Sequence, residues 1–267
     1  MQYFTKSNQA LDLLKQRQKI IPLYADLKQP LTILQDVWTR WWSTWRMIRR
    51  LRFLRSAIDS LIGSREATCE DLSDEQWKVL EYVQKSLASP SEAQRILEGE
   101  KYVTSSLVPR SIHRIRKNYC SMIQDNNTPE PVKMLVKKLL EDLDKHWEPT
   151  PDGKVCFSEE IKRGKGNRYV HIHPFFFYAA FLDPRMKNDL KSIMTQMNYN
   201  QLKHSMLNEM VKVAKKEKDE ANENERPPPP TTMPIRKYVP TQTRTIISHY
   251  LMTLNVAIIW QLMRMMK

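Results

Sequence analysis

The stretch DVWTRWWSTWRMIRRLRFLRSAIDSLI (36–62) decides the fold class. Its apolar positions Trp38, Trp41, Trp45, Ile48, Leu51, Leu54, Ile58 and Leu61 are spaced by three or four residues, the period of one buried helical face. Gly63 follows and supplies a stop. Arg46, Arg49 and Arg50 fall on the opposite side, and Arg52 and Arg55 lie nearer the edge of the stripe. The segment predicts an amphipathic helix with a basic outer face.

Working outward, residues 8–20 read as a short helix with Leu11, Leu14 and Ile20 at helical offsets, ending near Pro22. Downstream, LSDEQW (72–77) has the form of a capping box, with Ser73 as N-cap and Gln76 at the third helical position. Asp74 and Glu75 suit the positive end of the helix dipole. Leu80, Val83 and Leu87 continue its inward face, and Pro90 is expected to interrupt it, leaving a further turn or two before Gly99. A fourth helix is expected over 105–123, with Leu107, Ile112, Ile115, Tyr119 and Met122 inward. A fifth follows Thr128 and Pro129, with Val132, Leu135, Val136, Leu139, Leu143 and Trp147 as its stripe. Residues 148–170 read as a polar loop with an Asp152-Gly153 turn, and PFFFYAAFLDPRMK (174–187) as a buried aromatic helix ended by Asp183-Pro184. The reading is all-α: a domain of about six helices over 1–198, a charged and proline-rich linker over 199–245, and an apolar segment over 246–267, the tail being partly disordered.

Charge and composition narrow the function classes. A formal net charge of +13 favours a polyanion, whether DNA, RNA or an acidic membrane surface. Five glycines give no phosphate-cradling loop, and three cysteines (Cys69, Cys120, Cys156) far apart in sequence argue against a disulfide framework or a structural zinc site. The N-terminus lacks an apolar run of signal-peptide length. The apolar run at 246–263 is broken by His249, Asn255 and Gln261, which disfavours a membrane anchor. His171 and His173 lack a completing cysteine or carboxylate at metal-ligand spacing, so no metal or other cofactor is expected. Asp183 reads as a helix terminator capping the next turn. Arg110, Arg114, Arg116 and Lys117 make a second basic cluster, and Lys212, Lys215, Lys216 and Lys218 sit in a mixed-charge helix read as solvated. No nucleophile motif or spaced carboxylate pair marks an enzyme.

Three blocks, in order, resemble the hAT superfamily of DNA transposases: the Arg-Trp-containing stretch at 36–62, LSDEQWKVLEYVQKSLASPSEAQRILEGEKYVTSSLVPRSIHRIRKNY (72–119), and YAAFLDPRMK (178–187). The likeness covers roughly residues 10–195. Trp42 stands where that family often has Asn, and nothing matches beyond about 198. The resemblance implies the helical insertion of an RNase H-like transposase, with the family's Asp/Asp/Glu metal-binding set outside these blocks. The expectation is therefore a truncated, catalytically inactive transposase fragment, nuclear, with DNA as its partner. The resemblance also implies that Trp41 stacks on a base flipped out at the transposon end with Arg40 beside it, a role open to any indole face. Trp41 equally fits the core stripe. The arginines at 46, 49 and 50 are expected at phosphates, alongside Arg40 and Trp41. The competing class is a helical protein-interaction module with no role on DNA.

Overall fold

A computed structural model of the chain describes residues 2–37, 42–67, 69–99, 103–160 and 172–223. Among the described residues every regular element is helical, and the only extended pairing is an isolated bridge between Val155 and Met194. The all-α class is thus what the structure shows. The described residues divide into two units, one built from residues up to 92 with 118–138, the other from 93–117 and 139–223.

The first unit starts with α1 (Gln2–Lys6) and α2 (Asn8–Ile20), the latter capped by Ser7, whose hydroxyl accepts from Ala10 N at 3.2 Å. Leu14 is buried, and so is Gln18. A buried amide must find partners. The Gln18 side chain donates to the carbonyls of Leu14 (3.1 Å) and Leu31 (2.9 Å), and accepts from Leu31 N at 2.8 Å. That staples the segment running to residue 37 onto α2, which also packs on α4.

The helix predicted over 36–62 is in fact two. α3 (Ser43–Phe53) begins only after Trp42, and α4 (Arg55–Gly63) starts after a break at Leu54. No glycine or proline marks the break. The Leu54 N–H reaches both Arg50 O and Leu51 O at 3.1 Å, a tightened last turn. Leu54 is wholly buried, and Ile48, Leu51, Ile58 and Leu61 stay buried on either side, so the apolar spacing survives the kink. The Tyr24 hydroxyl donates to Phe53 O at 2.9 Å and so closes the end of α3.

α5 (Asp74–Leu97) opens with the capping box as predicted: Ser73 Oγ accepts from Gln76 N at 3.2 Å and Gln76 Oε1 accepts from Ser73 N at 2.9 Å. Pro90 does not interrupt it. The helix runs through to Leu97 with Pro90 inside it and buried. The missing N–H removes one helical bond, yet the helix continues, with Leu87 and Ala93 buried before and after the proline.

α6 (Val108–Gln124) is led in by a 3-10 turn at Ser105–Leu107, and α7 (Glu130–His146) follows Pro129. All six predicted stripe residues of α7 are buried, from Val132 to Trp147. In the second unit Arg116 on α6 grips Asp144 on α7 with two bonds, at 3.0 and 3.3 Å. Its other nitrogen lies 3.4 Å from Gly153 O. Gly153 has φ +75°, a conformation that L side chains rarely adopt, so this turn favours glycine, and the Arg116 guanidinium occupies the space a Cβ would take.

α8 (Pro174–Leu182) packs Phe177 edge-on against Phe157 at 5.6 Å, both buried. α9 (Lys187–Ile193) leads into α10 (Gln196–Glu223). The domain boundary expected at residue 198 lies inside α10. Tyr199, Leu202 and Ser205 beyond it are buried, and Ser205 bonds Tyr178 (2.6 Å) and Glu159, so packing continues past 198.

Replacing Ser73 with alanine should destabilise the fold by about 1 kcal/mol. Leu139→Ala, which empties a fully buried site, should cost about 2–5 kcal/mol. Urea unfolding followed by far-UV circular dichroism measures both, and equal losses would contradict the packing described.

Candidate nucleic-acid interface

The basic face belongs to α3, and its position is set from the segment before it. Asp36 Oδ1 accepts from Thr44 Oγ1 at 2.9 Å and from the Ser43 hydroxyl, which in turn accepts from Val37 N at 3.1 Å. A carboxylate at a helix N-terminus is favoured by the helix dipole. The clamp ties residue 37 to residue 43, so both ends of the intervening stretch are anchored. Trp42 caps α3 with φ +57°, a left-handed conformation that an L residue adopts at a cost.

On α3 itself Arg46 and Arg49 are exposed, and Arg50 is half-exposed. The Arg49 guanidinium lies over the Trp45 ring, 5.3 Å from its centroid. Arg50 donates to Thr32 O at 3.0 Å, which steadies its side chain without neutralising it. None of the three has a carboxylate partner among the described residues. The structure therefore brings these three predicted residues onto one helix with their charges intact.

Arg52 and Arg55 behave differently. Arg52 pairs with Glu81 at 3.2 Å and bonds Gln84 at 2.7 Å. Arg55 reaches Asp74 at 2.6 Å and Asp59 at 3.3 Å, and stacks on Trp77 at 5.0 Å. With Lys78 they line a cleft of about 180 Å³ whose cations face Asp74 and Glu81. Burial pushes the Asp59 carboxyl above its usual value, outweighing the pull of Arg55. The hydrogen bond from Lys85, helped by its charge and that of Arg52, holds Glu81 below its own.

Arg40 and Trp41, the two residues the resemblance singles out, lie outside the described residues, as does His171. The second basic cluster is divided. Arg110 pairs with Asp189 at 2.9 Å and Arg116 with Asp144, whereas Arg114 and Lys117 are exposed. His113 sits between these cations with its Nδ1 buried and unpartnered among the described residues. Burial, and then Lys117, Arg116 and Lys154, hold its pKa below the ordinary histidine value.

His173 has a structural role: its ring Nδ1 accepts from Phe175 N at 3.1 Å and caps α8. Asp183 acts as the predicted terminator, accepting from Arg185 N at 3.0 Å, and it also accepts from Ser106 Oγ at 2.7 Å. Among the described residues no group of three or more His, Cys, Asp or Glu is placed to hold a metal ion. No described helix is long and apolar enough to cross a membrane, and the 246–263 run lies outside the described residues.

The parts that sequence reading missed are the Asp36 clamp and the Thr32 carbonyl. Both act across a non-helical segment, where no periodic spacing announces a contact. Compared with family models, with curated proteins and with solved structures, the chain has no match.

The Arg185 guanidinium and Ser106 hold the Asp183 carboxyl far below the usual carboxylate range. A depressed carboxylate stabilises the fold above its unfolded pKa of about 3.9 and loses that contribution as pH falls through the folded value. Asp183→Asn should therefore lower the urea midpoint at pH 7, and the gap from wild type should narrow steadily below pH ~4. A gap that stays constant with pH would show that the carboxylate's charge is not what matters.

Proposed function

We propose that this chain is a DNA-contacting helical domain of the hAT transposase type that carries no strand-cleaving chemistry of its own and works in the nucleus. The observation that supports this reading is the division among the arginines of 46–55. Arg52 and Arg55 are neutralised by Glu81, Asp59 and Asp74, while Arg46, Arg49 and Arg50 keep their charge on α3. A guanidinium without a carboxylate, held by an indole or a carbonyl, is preorganised for a phosphate oxygen. Phosphate contacts position a protein on DNA without reading sequence. The high net charge of +13 adds long-range attraction for the same partner.

Within this reading Trp41 supplies the stacking platform and Arg40 its neighbouring cation, as the sequence resemblance suggests. The Asp36 clamp anchors the residues on either side of that pair. Binding is then expected to combine a salt-sensitive phosphate component with a stacking component that favours an unpaired base.

The test is fluorescence anisotropy of the full chain against labelled duplex and hairpin DNA across a salt series. Each phosphate contact contributes about 0.9 to the slope of log affinity against log salt, so Arg46→Ala/Arg49→Ala should flatten it by about 2. Trp41→Ala should keep the slope and lose the preference for the hairpin. Absence of binding at low salt by the folded chain, or a slope untouched by the double substitution, would refute the assignment.

A further inference from the structure

Three Ser-Pro or Thr-Pro dipeptides occur in the chain: Ser89-Pro90, Thr128-Pro129 and Thr150-Pro151. The fold separates them. Ser89 lies inside α5 with Pro90 buried, and Thr128, just before α7, is 3% exposed. Thr150 is half-exposed in the connection after α7, between the exposed Glu148 on one side and the exposed Pro151 and Asp152 on the other. A short connection of this kind opens locally at small cost, and so presents its side chains to other enzymes.

The Thr150 hydroxyl is the hub of its turn. Its oxygen accepts from Lys154 N at 3.1 Å, and its one proton is within reach of Lys154 O (3.0 Å) and of the Asp152 carboxylate. Around the turn the charge is basic. The Lys154 ammonium stands 3.7 Å from Asp152, and Arg116 lies 3.4 Å from Gly153 O. The charges of Lys117, Arg116 and Lys154 all bear on His113, whose Nδ1 is buried without a partner among the described residues. Among those residues the carboxylates paired with these cations are Asp144 and Asp152, and Lys117 has none. All of these groups belong to the second unit.

A phosphate on Thr150 reverses these relations. The hydroxyl proton is gone, so the bond to Asp152 is lost. A charge of about −1.5 to −2 at neutral pH then repels that carboxylate and attracts Lys154. The ester oxygen is a poorer acceptor, which leaves Lys154 N without its side-chain partner.

We propose that Thr150 is a phosphorylation site for a proline-directed kinase, and that Lys154, backed by Arg116 and Lys117, receives the phosphate as the turn opens. In the transfer the γ-phosphorus of a nucleoside triphosphate bonds to Thr150 Oγ1, the hydroxyl proton passes to the kinase's base, and nucleoside diphosphate leaves. The site uses none of the residues assigned to DNA.

The full chain, incubated with Mg-ATP and a proline-directed kinase, should take up a single phosphate, placed on Thr150 by peptide mass spectrometry. Thr150→Ser should keep the uptake and Thr150→Ala abolish it, with Ser89 and Thr128 unmodified throughout. In the product the Lys154 amide should exchange with deuterium roughly fivefold faster, the loss of one hydrogen bond. The His113 ring should titrate at higher pH by NMR, because the phosphate offsets the three cations that bear on it. A folded chain left unmodified overturns the proposal, as does uptake on Ser89 or Thr128 instead. Phosphate on Thr150 with the Lys154 exchange and the His113 titration both unchanged overturns it too, since the phosphate then points to solvent.

Discussion

The fold depends first on the removal from water of one helical stripe. Val132, Leu135, Val136, Leu139, Leu143 and Trp147 are all at most 2% exposed, and each such side chain contributes about 1.5–3 kcal/mol by leaving water. α7 supplies Val132, Leu135 and Val136 to one unit and Leu139 and Leu143 to the other, with Trp147 directly after its last turn. The polar contacts come second: the bidentate Arg116–Asp144 pair fixes the register of α6 on α7 where it passes through the second unit, and the same guanidinium holds the Gly153 turn. A single arginine therefore links two helices and a loop, and its partly screened position lets it do so without the desolvation cost of a deeply buried ion.

Polar groups left unmatched show where packing has priority. Tyr119 is wholly buried, and its hydroxyl has no partner among the described residues, so burial alone pushes its pKa well above the ordinary tyrosine value. The indole N–H of Trp147 is in the same position. An orphaned buried donor costs about 1–3 kcal/mol. Both rings fill large volumes in their own units, and the area they bury offsets that cost.

Much of this architecture was legible in the sequence because it is local. The capping box at Ser73 and Gln76, the α7 stripe, the aromatic helix ended by Asp183 and the turn at Gly153 all rest on contacts within a few residues. The failures share the opposite trait. Nothing local distinguishes a straight helix over 36–62 from the pair broken at Leu54, because both bury the same side chains. Pro90 carries a strong local signal to break α5, and tertiary burial overrules it. The run past residue 198 looked like linker because its charges are dense, yet Tyr199, Leu202 and Ser205 anchor its first turns.

The basic face was legible in part, and the reason lies in how charge is disposed of. Net charge counts every arginine alike, but only geometry separates a cation that has found a carboxylate from one that has not. Arg49 and Arg52 are three residues apart on one helix; Arg52 meets Glu81, and Arg49, among the described residues, meets the ring of Trp45 and no carboxylate. Their difference comes from α5, whose own position depends on the capping box and on Trp77 going inward. The acids that pair with Arg52 and Arg55 lie on α4 and α5, and among the described residues none reaches Arg46 or Arg49. The electrostatic surface of this helix is thus a by-product of helix packing, which sets the arginines that face acid apart from those that have no carboxylate among the described residues.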